Sequence, residues 1–294
     1  MITGRDMVTD GRQRMTETEL LYFETWAAMS ASGRTLTMLG HKLEVSTAAV
    51  TKRMRAIVQR GYLTERYEMT SLGAEFYMWC RLWEKGIHVW YQTMGISETD
   101  ARNVTRDLLA RAPVPVLDMM MNQGIICLLR GNRRISSSER DGCLEFRNVE
   151  FANMLPEGRY SVYVTFRKLD GNEPSMAESA FGQTRMMVIE AGRSELRLQR
   201  QMILHHSMTE DYDVRGQMKS LEYEVGTRTR KPKIQDDIVR IPMKDMIWKI
   251  REGNDSSLVG ELEVSFACTA GEQHMPRASA LMCVKIQRTN AAFF

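Results

Sequence analysis

Apolar residues recur at helical spacing over the first 130 residues, and this pattern predicts a helix-turn-helix between residues 36 and 63. The second helix of the pair carries one apolar stripe at positions i, i+4, i+7 and i+8, formed by Val50, Met54, Ile57 and Val58. Ser46 stands directly before that helix, where its hydroxyl can accept a hydrogen bond from a first-turn backbone N–H. The pattern therefore predicts two short helices that pack through one face, with Ser46 as the N-cap of the second.

The residues that lie off the apolar stripe are small, hydroxyl-bearing or cationic. Such side chains allow a helix to enter the major groove of DNA and to contact phosphates and base edges. We expect the turns after the N-cap to lie near bases, through Thr47, Ala48, Ala49, Thr51 and Lys52, and we count the N-cap Ser46 among the DNA-binding residues. We expect the contacts with the DNA backbone to come from Arg53, Arg55, Arg66 and Tyr67. The alternative is an ordinary helical hairpin whose charged face is only solvated.

The segments on both sides of this pair predict a winged helix. Residues 62–64 and 68–70 have the composition of two short strands joined by a tight connection, and Gly61 ends the helix before them. Upstream, residues 16–29 place several large apolar side chains on one helical face, which indicates the first helix of a three-helix core. Downstream, residues 74–94 form a long aromatic-rich helix, which must be buried on more than one side.

Beyond residue 142 the period of the apolar positions changes from 3.6 to 2, which indicates strands. Eight strands are predicted between turn residues, at 161–166, 185–190, 195–204, 221–225, 238–242, 246–251, 258–268 and 280–288. So many short strands with little helix favour an antiparallel β-sandwich or a jelly-roll-like domain. The predicted fold class is therefore α+β and multidomain.

Four segments follow from these patterns. Residues 1–73 are expected to form a winged helix-turn-helix domain, and residues 74–129 a helical dimerisation region. Residues 130–142 are polar and bracketed by glycines, which is typical of a linker. Residues 143–294 are expected to form the β-sandwich, as a sensor or interaction domain.

Several short motifs resemble the diphtheria-toxin-repressor and manganese-transport-regulator family of winged-helix metalloregulators, over residues 16–111. The motifs that carry the resemblance are ELLYFETW at 19–26, LEVSTAAVTKRM at 43–54, RGYL at 60–63, MTSLG at 69–73 and MGISETDA at 94–101. The resemblance implies a symmetric dimer that places two recognition helices on a pseudo-palindromic operator.

The resemblance also implies a binding site for activating Mn²⁺ or Fe²⁺, built from carboxylates and histidine on three helices. Glu24 matches the first-helix carboxylate, and Glu84 and His88 lie four residues apart on the long helix. Leu109 and Ala110, however, stand where the family has an adjacent Glu-His pair. We therefore expect the family's metal site to be lost, because two missing ligands remove most of its coordination. A weak or relocated Mn or Fe site is the alternative.

Composition sets the class of protein. With 294 residues, of which 43 % are hydrophobic and 26 % charged, the chain has room for two domains. It has no apolar run of the ~20 residues that a membrane span needs. Its five scattered cysteines have no C-x-x-C spacing, and its first residues have no apolar signal segment, so a cytoplasmic location is expected. Residues 1–135 hold 18 Lys and Arg against 14 Asp and Glu, which makes the predicted DNA-facing half the basic one.

These observations lead to one functional hypothesis and two alternatives. The hypothesis is a cytoplasmic, dimeric, sequence-specific DNA-binding transcriptional regulator, a repressor whose β-domain receives a small-molecule or protein effector. The alternatives are a metal-dependent repressor with a relocated site and a winged-helix protein-interaction adaptor. The sequence has no Gly-rich phosphate cradle, nucleophile elbow or paired catalytic carboxylates, so an enzyme is not expected.

Overall fold

A computed structural model describes residues 15–30, 33–133, 135–140, 143–171, 173–206, 213–251, 257–270, 273–274 and 277–287. The described residues up to Met121 form one compact unit, and those from Asn122 onward form a second. Six α-helices and a set of antiparallel strands lie within these residues, so the α+β class is confirmed at that level.

The six helices account for most of the first unit. They are α1 Glu17–Ala28, α2 Leu36–Leu43, α3 Thr47–Gln59, α4 Ser71–Thr93, α5 Glu98–Arg111 and α6 Val114–Gly131. Five of them begin where the sequence supplies an N-cap, because a hydroxyl there accepts from a backbone N–H of the first turn. The caps are Thr16, Thr35, Ser46, Thr70 and Ser97.

The core of the first unit forms where α1, α3 and α4 meet. Phe23 is fully buried, and its ring lies 5.9 Å from that of Tyr62. Between α3 and α4, only a single antiparallel bridge joins Leu63 to Met69, where two short strands were predicted. Gly73 lies so close to this connection that a Cβ there would collide with the Tyr62 carbonyl oxygen. The turn is therefore packed directly onto the start of α4.

The second unit contains two antiparallel sheets. Its first six strands are β1 Ser136–Arg140, β2 Cys143–Arg147, β3 Gly158–Ser161, β4 Tyr163–Arg167, β5 Phe181–Glu190 and β6 Arg193–Arg200. The next five are β7 Ile203–His206, β8 Asp213–Val225, β9 Arg228–Arg230, β10 Lys233–Gln235 and β11 Ile238–Pro242. The last four are β12 Ile247–Arg251, β13 Leu258–Ala270, β14 Gln273–His274 and β15 Ala278–Lys285.

The larger sheet follows the order β1-β2-β12-β13-β15-β4, and β8 also pairs with β13 and carries β7 and β9 at its side. The smaller sheet follows the order β10-β11-β6-β5-β3. The two sheets contact each other where the rings of Phe166 and Phe181 stack 4.9 Å apart. The short helical turn Phe151–Asn153 adds a second contact, because Phe151 packs on Trp248 and its N–H donates to Ser194 Oγ.

The predicted linker at 130–142 is wrong in its described part. Helix α6 runs to Gly131, and Ser136–Arg140 forms strand β1, paired with β2. Gly124 is buried in the middle of this helix, where packing stabilises a glycine that lowers helix propensity. Residues 1–14 and 288–294 of the predicted domains, and 134, 141 and 142 of the predicted linker, lie outside the described residues.

Candidate binding surface on the third helix

Helix α3 is oriented by a buried apolar stripe. Val50, Met54 and Ile57 are completely buried, which confirms the side on which the sequence placed them. The Ser46 hydroxyl accepts a hydrogen bond of 3.3 Å from the Ala49 N–H, so the predicted N-cap is present. With one face packed on the core of the unit and the start fixed, the opposite face of α3 is turned to solvent.

The side chains that the sequence singled out lie on this solvent face. The exposed ones are Ser46, Thr47, Ala48, Ala49, Lys52, Arg53 and Arg55. Thr51 is half-buried, and its hydroxyl donates to the Thr47 carbonyl over 2.8 Å. The Thr51 proton is therefore engaged within the helix, whereas the three cations point outward.

A shallow open depression of about 580 Å³ lies along this face. Its lining comes entirely from α3: Ala48, Thr51, Lys52, Arg53, Arg55, Ala56 and Gln59. The two alanines contribute only short side chains to this lining, whereas the cations and the amide contribute long polar ones. Sequence reasoning missed Ala56 and Gln59, although their spacing of eight and eleven residues from Ala48 was a signal that could have found them.

The exposed cations of α3 contrast with a half-buried, paired cation at its end. Arg60 Nη2 lies 3.1 Å from Glu19 Oε2 and ties the C-terminus of α3 to the start of α1. Lys52, Arg53 and Arg55 form no ion pair with any residue in the described part of the chain. Their charge is therefore available to a ligand. We define the α3 surface as these three cations together with Ala48, Thr51, Ala56 and Gln59.

The two candidates in the following turn have different surroundings. Arg66 is exposed. Tyr67 is half-buried with a φ of 61°, its carbonyl accepts a 3.0 Å hydrogen bond from the Trp26 indole, and its ring meets the edge of that indole at 6.1 Å. These contacts give Tyr67 a role in fixing the turn against α1.

A second set of sequence candidates lies where α1, α4 and α5 approach one another. Burial, and after it the charge of Glu84, raises the pKa of Glu24 from 4.5 to about 7, while Arg106 opposes the shift. Glu84 is exposed and His88 is half-buried, four residues further along α4. The Glu24 carboxylate therefore interacts with both the Glu84 carboxylate and the Arg106 guanidinium. The contribution of Arg106 was not anticipated from the sequence.

The residues present do not fit a Mn or Fe site. No group of three or more His, Cys, Asp or Glu in the described ranges is arranged to hold a metal ion. A guanidinium also acts on Glu24, and its positive charge would compete with a cation for that carboxylate. No cofactor is therefore assigned to Glu24, Glu84 and His88.

Comparisons with known proteins give no family. No protein-family model matches the chain, and no curated protein matches it. Among the solved structures that match is the NEAT5 domain of IsdX2, a B. anthracis hemophore, in complex with heme, at 10 % identity and a TM-score of 0.31. A point mutant of the same domain, also with heme, matches at 12 % identity and a TM-score of 0.32. Each covers 46 % of this chain and 100 % of its own.

These neighbours correct the functional hypothesis from the sequence. They are heme-binding domains and not DNA-binding repressors, so the prediction of a sequence-specific transcriptional regulator is wrong. The predicted double-stranded DNA operator is withdrawn, and so is the homodimer that was to place two helices on it. At this identity and TM-score, the likeness assigns no ligand to this chain.

The charge of the first unit gives a physical reason for the correction. Residues 15–121 hold 12 Lys and Arg and 12 Asp and Glu, so they have no net charge. The positive balance that supported DNA binding came from residues 1–14 and 130–135. A DNA-binding domain is typically basic as a whole, because it must neutralise many phosphates. Separately, none of the helices in the described residues is long and apolar enough to cross a membrane.

Proposed function

We propose that this chain is a non-enzymatic adaptor, in which the α3 surface binds an acidic segment of a partner protein. The observation that supports the proposal is the row of exposed cations on α3 that have no carboxylate partner among the described residues. A local cationic patch on a unit that has no net charge as a whole suits a short acidic segment, which needs only a few charges opposite it.

The proposal includes an assignment of the two folds. We take the first unit as a winged helix, on the basis of the motifs between residues 16 and 111 and the Leu63–Met69 bridge between α3 and α4. We take the second as a β-sandwich, on the basis of two antiparallel sheets whose buried side chains meet. Both folds serve as binding scaffolds without catalytic residues.

The shape of the α3 surface sets the strength of such a contact. Ala48 and Ala56 let a partner backbone approach the helix, so that carboxylates on it come within reach of Lys52 and Arg55. An exposed ion pair contributes about 0.2–1 kcal/mol, and several pairs on one surface add to a moderate affinity. The interaction should therefore weaken as salt rises, because solvent-exposed charges are screened.

The first test is the binding of a fluorescein-labelled, glutamate-rich peptide to the full chain, followed by fluorescence anisotropy across a salt series. We expect Lys52→Gln and Arg55→Gln each to weaken binding about two- to fivefold, which is the loss of one exposed ion pair. The double variant should weaken it by about the product of the two.

The matched control is Lys85→Gln, because Lys85 is an exposed lysine on α4, away from the α3 surface. Its affinity for the peptide should equal that of the parent chain. Equal losses in the Lys52 and Lys85 variants would contradict the proposal, since the peptide would then respond only to net charge. Tighter binding to a DNA duplex than to the peptide, lost with Lys52→Gln, would also contradict it.

A further inference from the structure

The outer face of the smaller sheet carries an unusual excess of cations. On β6, Ser194, Leu196 and Leu198 are buried, and the alternating residues Arg193, Glu195, Arg197 and Gln199 lie on the other face. On β11, Val239 and Ile241 are buried, and Ile238, Arg240 and Pro242 lie on that same outer face. The sheet therefore has an apolar inner side and a charged outer side.

Three of these cations stand in one row across neighbouring strands. Arg240 is the direct cross-strand partner of Lys233 on β10 and also of Arg197 on β6. Directly opposite residues of an antiparallel pair have their Cβ atoms about 4.5–5.5 Å apart, and like charges at that distance destabilise the sheet. Placing three cations side by side thus lowers the stability of the unit unless an anion lies over them.

The carboxylates of the chain neutralise only part of this row. Arg197 Nη2 lies 2.8 Å from Glu190 Oε1 and 3.3 Å from Glu195 Oε2, so both carboxylates are directed to the same arginine. The hydrogen bond from Arg197 and its charge hold the pKa of Glu190 below its ordinary value, and the nearby charges of Arg159 and Arg240 lower it further. Glu190 is therefore already surrounded by cations.

Arg240 has no carboxylate partner of its own in the described residues. Its Nε is buried and makes no hydrogen bond to any described group. Buried donors are nearly always paired in folded proteins, so this N–H is open to an acceptor from outside the described residues, either a water molecule or a group on a ligand. Lys233, Arg159 and Arg193 are exposed around it. We call the outward-facing residues of β3, β5, β6, β10 and β11 the sheet surface.

We propose that the sheet surface is a second binding surface, which takes an acidic, partly apolar segment of a protein chain. Its cations would pair with carboxylates, and the apolar atoms between them would contact neighbouring side chains of the segment. Those apolar residues are Met186 and Pro242, which lie in the same cross-strand rows as Arg197 and Arg159.

A protein segment fits this surface better than a nucleic acid does. Sheets that bind single-stranded RNA or DNA stack the bases on aromatic side chains. The outward positions of the five strands at Arg159, Ser161, Met186, Val188, Glu190, Arg193, Glu195, Arg197, Gln199, Lys233, Gln235, Ile238, Arg240 and Pro242 carry no aromatic ring. The surface therefore offers charge and aliphatic contact without a stacking platform.

The inference does not rest on the α3 surface, because the two surfaces lie in different units. It is tested in the full chain with the α3 surface already neutralised by Lys52→Gln and Arg55→Gln. In that background we compare Lys233→Gln with Arg240→Gln against a control pair of equal charge change, Lys219→Gln with Arg228→Gln. Both control residues are exposed and belong to strands of the larger sheet.

The measurement is anisotropy of the same glutamate-rich peptide. We expect the sheet-surface pair to lose about four- to twentyfold in affinity, and the control pair to stay within about twofold, because two exposed ion pairs are removed only in the first. Arg240→Lys should keep the affinity. Thermal unfolding distinguishes lost binding from lost folding, since removing like-charged neighbours should leave the Tm of the sheet-surface variant unchanged or higher.

Three results would overturn the inference. The first is an equal loss in both pairs, and the second is parental affinity in the sheet-surface pair. The third is preferential binding of a single-stranded oligonucleotide or of phosphatidylserine vesicles that depends on Lys233 and Arg240. If neutralising the α3 surface leaves the affinity unchanged while the sheet-surface pair lowers it, the proposed function of α3 fails and the sheet surface stands.

Discussion

At the scale of single residues, Glu24 is the group with the most perturbed chemistry in the first unit. Burial removes water from its carboxylate, and Glu84 adds a like charge, so the pKa rises to about 7. In the unfolded chain a glutamate titrates near its ordinary value, so the folded state binds this proton more tightly. The helical unit is therefore expected to gain stability as Glu24 becomes protonated.

The sign of the pH dependence follows directly. The contribution is fully present below about pH 4.5 and is lost as pH rises through about 7. A pKa rise of this size corresponds to about 3 kcal/mol. Glu24→Gln, which keeps the shape and removes the charge, should raise the free energy of unfolding at pH 8 and change it little at pH 5, as measured by urea denaturation.

The control for this prediction is Glu17→Gln on the same helix, at an exposed position. It should leave the slope of stability between pH 5 and pH 8 as in the parent chain. A parental slope in the Glu24→Gln variant would contradict the burial argument, because another group would then have to carry the pH dependence.

The sequence predicted single residues well where local periodicity decided their place. The stripe of Val50, Met54 and Ile57 and the Ser46 cap are local features, and the structure has them as predicted. The environment of Glu24 depends on Arg106, which is 82 positions away and is brought near by the packing of α5. Periodicity within one helix contains no information on that approach.

At the scale of elements, a close helix contact depends on one glycine. A Cβ at Gly86 in α4 would lie 2.8 Å from the Cα and the carbonyl oxygen of Met121 in α6. Both are backbone atoms and cannot rotate away. The two helices therefore approach closely only because position 86 has no side chain.

Gly86→Ala should accordingly destabilise the chain. Pushing the two helices apart is expected to cost about 1–3 kcal/mol, although alanine is the better helix former by about 1 kcal/mol. The matched control is Gly131→Ala at the end of α6, where a Cβ would meet nothing within 4 Å. The control should be neutral or slightly stabilising in chemical denaturation. Equal stability of both variants would show that α4 and α6 do not hold this distance.

Among the elements, helix starts were more predictable than strand positions. Thr16, Ser46 and Ser97 mark their helices because capping uses residues next to one another in sequence. Strand β1 was missed because Ser136–Arg140 has no apolar alternation, and it is a strand through its pairing with β2. Pairing of that kind depends on a partner strand and not on the composition of the segment.

At the scale of the whole molecule, the two units have separate cores and different numbers of tryptophan residues. Four of the five tryptophans, Trp26, Trp79, Trp83 and Trp90, belong to the first unit, and Trp248 belongs to the second. Tryptophan fluorescence therefore reports mainly on the helices. Far-ultraviolet circular dichroism of the strands reports on the second unit.

Two core substitutions should consequently have different spectroscopic effects. Ile57→Ala removes buried methylenes in the first unit and should lower the fluorescence midpoint by the loss of about 2–5 kcal/mol, while the strand signal keeps its midpoint. Met282→Ala in the second unit should do the reverse. The measurement is thermal unfolding with both probes. A single shared transition that both substitutions shift equally would contradict independent cores.

The contact between Gly260 and Trp248 has a consequence for how this sequence can change over time. A Cβ at position 260 would come within 2.9 Å of the fully buried indole, so the two residues fill one space between β12 and β13. Any larger residue at 260 requires a smaller one at 248, and neither change is tolerated first without loss of stability. The two positions are therefore coupled in evolution: each one restricts the residues that the other can carry, and we expect them to change only together.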